Sequence, residues 1–199
     1  MTACTRGAFL ALTFVAAVCL GQAARSADAA APAHYVLDQG KSSLTFSFVQ
    51  AGAQNQGHFA RFPVTLDFSP DNPAAGHLEV SVEMGSLDSG DKERDDTLRG
   101  DDLFAVTKFP QAHFSATQFV KTASGFEAVG KLTIRGVTRD ARVPFAFRTA
   151  SENGATVGYM TGKTSIKRLD YGVGQGDWKS TEQVGNDVGV TFALRLTGH

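Results

Sequence analysis

"KLTIRGVTRDARVPFAF", Lys131 to Phe147, holds two runs in which apolar residues alternate with polar ones, parted by the charged segment Arg135–Arg139 around Gly136. Alternation with period two sends successive side chains to opposite faces of a strand. Leu132 in the first run, and Val143, Phe145 and Phe147 in the second, therefore face one interior. The segment "RGVTR" reads as a hairpin connection, in which Gly136 supplies the positive φ of a tight turn and the arginines stay in water. Two antiparallel neighbours, each with one apolar face, set the class as β.

Working outward, the same pattern recurs. "SLTFSFV" puts Leu44, Phe46 and Phe48 on one face, "FPVTLDF" does so with Phe62, Val64, Leu66 and Phe68, and "HLEVSVEM" with Leu78, Val80, Val82 and Met84. "AHFSATQF" and "FEAVGKLTI" alternate more loosely through Phe114 and Leu132, and "DVGVTFALRL" closes with Val188, Val190, Phe192, Leu194 and Leu196. The runs are bounded by "SPDNPAAG", "TASG", "SENG" and "GVGQGDW", dense in residues that tolerate tight or left-handed backbone. Alternation stops only in Ser86–Pro110, "SLDSGDKERDDTLRGDDLFAVTKFP". There Asp91 or Asp95 caps a short helix ending near Gly100, after roughly the fourth strand, and Asp101 opens a further turn that stops before Pro110. About eight strands with one apolar face each make either a two-sheet sandwich or a closed barrel; periodicity does not separate them.

A chain of 199 residues is expected to form a single core. Its first part stands apart. Arg6 precedes the apolar run "AFLALTFVAAVCLG", Ala8 to Gly21, followed at once by small residues, so residues 1–29 read as a signal peptide and cleavage region and 30–199 as the exported domain. Cleavage is expected between Ala23 and Ala29. Both cysteines, Cys4 and Cys19, fall in the leader, which leaves the exported domain to be held together by packing alone.

Several classes of chemistry find no support. A formal net charge of −1 lacks the basic face that nucleic acid demands. There is no G-x-S-x-G elbow and no cysteine past the leader, which argues against an enzyme with a covalent nucleophile. His34, His58, His77, His113 and His199 lack metal-ligand spacing, and the carboxylates from Asp88 to Asp102 lack the order of a calcium loop, so no metal is expected. What does stand out is phenylalanine: of 15 in the chain, all but Phe9 and Phe14 lie beyond the leader. They either fill a core or line an elongated apolar cavity, since a small barrel can be just wide enough for one ligand. "SIKRLDYGVGQGDW" sets Arg168 and Asp170 two apart on the same face of a strand, before a glycine-rich loop with the lone Trp178. The pair is a surface ion pair, or it sits at a barrel mouth near a ligand head group.

Taken in order, "SSLTFSF", "GHFARFPVTLDFSP", the Ser86–Pro110 segment with "QAHF", "GKLTIRGVTRDARVPF", "IKRLDYGVG" and "VGVTFALRL" resemble the YceI-like family of polyisoprenoid-binding, lipocalin-like periplasmic proteins, from about Tyr35 to Leu196. Many members carry a histidine where this chain has Lys41, and another near Gln50, so roles of those histidines do not carry over. The "GVGQGDW" loop is similar to a subgroup often encountered alongside cytochrome b561-type membrane proteins.

The resemblance implies an all-β, eight-stranded antiparallel lipocalin-like barrel with a short helical excursion between strands. It implies periplasmic location and an apolar pocket that carries or sequesters a polyprenyl or quinone-type isoprenoid, with no covalent cofactor. The alternative is an accessory that presents a quinone to a membrane cytochrome b561-type partner. A homodimer is compatible with either. Joined to the alternation, the resemblance places Phe46, Phe48, Phe114, Phe145 and Phe192 on the cavity wall, Arg168, Asp170 and Trp178 at the mouth, and Phe104 and Phe109 in a lid.

Overall fold

The computed structural model of the chain describes residues 31–199 together with Met1 and Thr2. The leader and its two cysteines fall outside the described residues. The strands are β1 (Ala33–Leu37), β2 (Ser43–Gln50), β3 (Ala53–Phe59), β4 (Val64–Phe68), β5 (His77–Glu83), β6 (Leu87–Asp88), β7 (Gln111–Thr122), β8 (Gly125–Ile134), β9 (Val137–Glu152), β10 (Ala155–Lys167) and β11 (Asp187–Gly198), with one α-helix, α1 (Lys92–Arg99). Every pairing is antiparallel, and β1 pairs with both β4 and β11, which closes the ring.

The 11 segments make an eight-stranded barrel because the first three strands are each bent into two pieces. β11 runs along β1 at Leu37↔Leu196 and then along β2 at Ser43↔Ala193, with the 3₁₀ turn Gln39–Lys41 between them. β4 and β3 follow β1 and β2 in the same way, and β5 and β6 follow those. The expected barrel is the fold, and the sandwich is not.

The hairpin read from the opening stretch is present, but its turn is shorter. Only Arg135 and Gly136 lie between β8 and β9, with φ of 50° and 74°. Positive φ at both central residues is the turn whose twist matches a hairpin. Arg135 does not stay in water. It is half-buried and reaches back to donate from Nη2 to the Asp101 carbonyl at 2.7 Å. The loose alternation in β7 has a cause as well: a bulge between Ala116 and Gln118 returns Phe119 to the inside after Ala112, Phe114 and Ala116.

Asp91, not Asp95, caps α1, accepting from the Arg94 backbone N–H at 3.0 Å, and Gly100 ends the helix. Asp95 is buried and accepts from the Ser89 N–H at 2.9 Å and hydroxyl at 2.6 Å, pinning the chain before the helix. The turn expected at Asp101 is present and is followed by another before Pro110. Ala105 takes a φ of 49°, and the Leu103 and Ala105 N–H groups both donate to the Gly100 carbonyl, giving a chain of turns. The excursion leaves the third barrel strand, one earlier than expected, since β5 and β6 are a single strand.

The barrel has two unlike ends. At one, the short connections at 123–124 and 153–154 let the strands converge, and Phe68 packs with ring centroids 5.3, 5.0, 5.6 and 5.0 Å from Phe119, Phe126, Phe145 and Phe147. Leu66, Leu196 and Ala128, each 0% exposed, complete this plug. Outside it, Arg195 pairs with Asp38 at 2.5 Å and with Glu152 at 2.6 Å, and the Tyr159 hydroxyl also donates to Glu152. At the other end the long segments 89–110 and 168–186 stand over the opening.

Candidate functional site

Under those two segments the barrel is hollow. A cavity of about 400 Å³ opens between α1 and the 168–186 loop, and a wholly apolar chamber of about 180 Å³ lies deeper. Phe46, Phe104, Ile134, Ile166 and Val188 are walls of both, so the two spaces form one pocket with an outer and an inner part. Period-two strands aim four of these side chains inward, and Phe104 comes down from the turns that follow the helix. The outer part has a polar rim, with Gln50 from β2 and Asp91, Glu93, Arg94 and Thr97 from the helix.

Arg168 organises the mouth. It is 4% exposed, and no carboxylate lies within ion-pair distance of it among the described residues. Its guanidinium spends all five N–H bonds on main-chain carbonyls: Nε on Gly185 at 3.0 Å, Nη1 on Val173 at 2.9 Å and Trp178 at 2.7 Å, Nη2 on Ser180 at 3.0 Å and Val184 at 2.9 Å. A fork of fixed donors is what ties an irregular loop into one shape. Gly174 permits it: its φ is 118°, and a Cβ there would stand 2.0 Å from Arg168 Nη1. Burial pulls the Arg168 pKa down from its ordinary value. The group remains charged, since arginine does not lose its proton in proteins, and it lies on the wall of the outer cavity with Trp178 beside it.

The structure places the residues singled out from sequence as follows. Phe46 and Phe48 line the outer cavity, Phe46, Phe114 and Phe192 line the inner chamber, and Phe104 is a wall of both. Arg168 and Trp178 are at the mouth.

Three assignments are corrected. Phe145 points inward as expected but lies at the depth of the plug, against Phe68, Phe119 and Phe126, and lines neither space. Phe109 is no lid; its ring covers Gly136 at the β8–β9 turn, 2.7 Å from where a Cβ would be. Asp170 is exposed and separated from Arg168, because β10 ends at Lys167 and residues 168–171 form a 3₁₀ turn closed by Gly172 at φ 68°. That turn rotates the two side chains to different sides, where a strand would have kept them together.

Sequence reasoning passed over Leu98, Ile134, Ile166, Val184 and Val188. Ile134, Ile166 and Val188 lay within or beside the alternating runs; Leu98 is the apolar residue in the polar helix "KERDDTLR". That isolation was a usable signal.

Residues 35–196 match the YceI-like domain family. The chain is similar to UPF0312 proteins of Yersinia pestis strain Pestoides F, at 34% identity over 120 residues, and of Yersinia enterocolitica, at 35%. Each alignment covers 59% of this chain and 62% of the relative, so the chain spans somewhat under two thirds of these relatives' length. Among solved structures it is similar to Burkholderia cenocepacia BcnA, with a TM-score of 0.73 and 32% identity across 80% of this chain and 98% of that one. A polyisoprenoid binding domain from Saccharophagus degradans has a TM-score of 0.61 at 18% identity, covering 83% and 98%, which speaks to fold alone.

Proposed function

The chain belongs to the YceI-like family, and on that premise we propose that it is a non-enzymatic periplasmic protein that carries or sequesters an isoprenoid lipid, of polyprenyl or quinone type. The observation that carries this reading is the pocket itself: apolar walls of phenylalanine and branched aliphatics deep inside, a polar rim outside, and a blind end. An isoprenoid has the matching division, with a hydrocarbon tail for the chamber and a polar head for the rim. A tail burying roughly 500 Å² gains on the order of 12 kcal/mol gross, much of it offset by ordering and lost translational freedom. At the mouth, the buried Arg168 charge has its hydrogen bonds filled by carbonyls. It acts on a ligand through its field, which favours an electron-rich head such as a quinone carbonyl or a phosphate.

Mass spectrometry of the protein purified from a periplasmic fraction, native and then after organic extraction, tests the reading. A stoichiometric isoprenoid is the expected result, and a quinone among the extracts would add presentation to a membrane cytochrome as its role. An apo mass that persists after incubation with polyprenyl lipids and quinones would overturn the proposal.

A further inference from the structure

The barrel wall is not continuous. β9 and β10 pair from Ala155↔Glu152 to Gly162↔Phe145, and there the ladder stops, although β9 starts at Val137 and β10 runs on to Lys167. Pro144 stands at the stop. Its carbonyl points at β10, 2.4 Å from where a Cβ on Gly162 would be. The N–H that proline lacks would have faced the same edge, so the ladder loses a donor at this position.

Beyond it the two strands part around a groove of about 520 Å³. Leu132, Val143, Thr164 and Ile166 form its floor and are also walls of the inner chamber. Three of the five charged groups on its lips are tied away from the gap: Asp140 to Lys131 on β8 at 2.5 Å, Arg142 to Glu127 on β8 at 2.7 Å, and Lys167 to Asp187 on β11 at 2.9 Å. Among the described residues one hydrogen bond spans the gap, from Arg139 Nε to the Asp170 carbonyl at 3.2 Å, at the mouth end.

The chamber is also short. As the inner part of the pocket it adds about 180 Å³ below the outer cavity and ends on the aromatic plug. A long isoprenoid entering by the mouth meets a blind wall. The direction that no ladder hydrogen bond bars is sideways, past the four side chains that chamber and groove share, between strands whose edges are unpaired.

We propose that the slit between β9 and β10 is a side port, through which the distal part of a long isoprenoid tail leaves the chamber and lies in the groove. There it rests on Val143, Ile166 and the aliphatic stems of Arg142 and Lys167. The inference rests on the carrier reading and deepens it: the plug does not cap tail length, because the tail turns out of the barrel before reaching it.

Barring the slit tests this. Continuing the β9–β10 register beyond Phe145↔Gly162 sets Arg142 opposite Ser165, and both are exposed. In a Cys4→Ser, Cys19→Ser chain, Arg142→Cys with Ser165→Cys is bridged by a short bis-maleimide; Ala141→Trp fills the slit without cross-linking. Farnesol, a short isoprenoid alcohol, and solanesol, a long one, are offered from detergent micelles.

The parent should bind both. Each barred form should hold farnesol within about twofold of the parent and bind solanesol weaker by about tenfold or more. Unchanged solanesol affinity in both barred forms would overturn the port and leave the carrier reading standing, as would a parent that takes farnesol and refuses solanesol. A parent that binds neither alcohol would overturn the two together.

Discussion

At one end of the barrel Phe68 is 1% exposed and is hemmed by four other aromatic rings; at the other, Phe104 is half-buried, with the outer cavity and the inner chamber both opening onto it. Residue type does not distinguish them. What stands over each end does. Two-residue turns at 123–124 and 153–154 let opposite walls approach until rings interlock, whereas the helical segment and the loop on Arg168 occupy the mouth and leave the space beneath them unfilled. In a barrel of this size interior volume is shared between side chains and ligand, and here the loops decide which end receives which.

Truncation should expose this contrast most strongly at Phe68. Phe68→Ala leaves a cavity among rings that cannot collapse, and about 3–5 kcal/mol of stability should go, read as a lowered urea midpoint at unchanged slope. A loss no larger than that at Phe104 would mean the plug is not close-packed. Arg168→Met comes next. It deprives five carbonyls of their donors, for a loss of about 2–3 kcal/mol, and hydrogen exchange should quicken across 173–185 while the plug strands keep their protection. Uniform loss of protection would show that the loop is not tied separately. Phe104→Ala, at the open end, should cost only about 1 kcal/mol yet release bound lipid on extraction; retained lipid would take Phe104 off the ligand path.

The smallest effect is electrostatic and belongs to the plug end. The Tyr159 hydroxyl, and then Arg195, hold the Glu152 carboxyl below its ordinary pKa. A lowered carboxylate contributes fully above the ordinary glutamate range, and that contribution is lost as pH falls through the lowered value. Glu152→Gln should therefore be less stable than the parent at neutral pH, and the gap should close in acid. A gap constant across the titration would assign the difference to packing.

Alternation made the inward faces legible, because a strand's period of two is fixed by its backbone. Phe145 shows what it omits: the pattern tells inside from outside and carries no information about depth along the barrel axis, and depth separates plug from cavity. Asp170 was misread because the strand was carried through Asp170 up to the glycine-rich loop, whereas the 3₁₀ turn that Gly172 closes at positive φ already begins at Arg168. The Arg168 cage was beyond reach, since its acceptors are main-chain carbonyls from a loop closed by long-range contacts. Pro144 was in plain view within the stretch that decided the fold, and a proline in a strand marks a ladder that is not continuous.

The seam between β1 and β11 bears on the order in which the molecule is assembled. Around the ring, each other neighbour is joined through a hairpin or a single excursion, so pairing can proceed along the chain. Tyr35↔Gly198 and the His199 N–H on the His34 carbonyl at 2.9 Å join its two extremes, and the entropy of that closure grows with the loop it closes. The first strand must therefore wait, unpaired on one edge, until the last has been delivered. Joining residue 199 to residue 31 and cutting at Ala123–Ser124 would make the seam a local contact and should speed refolding, with the pocket carried over intact.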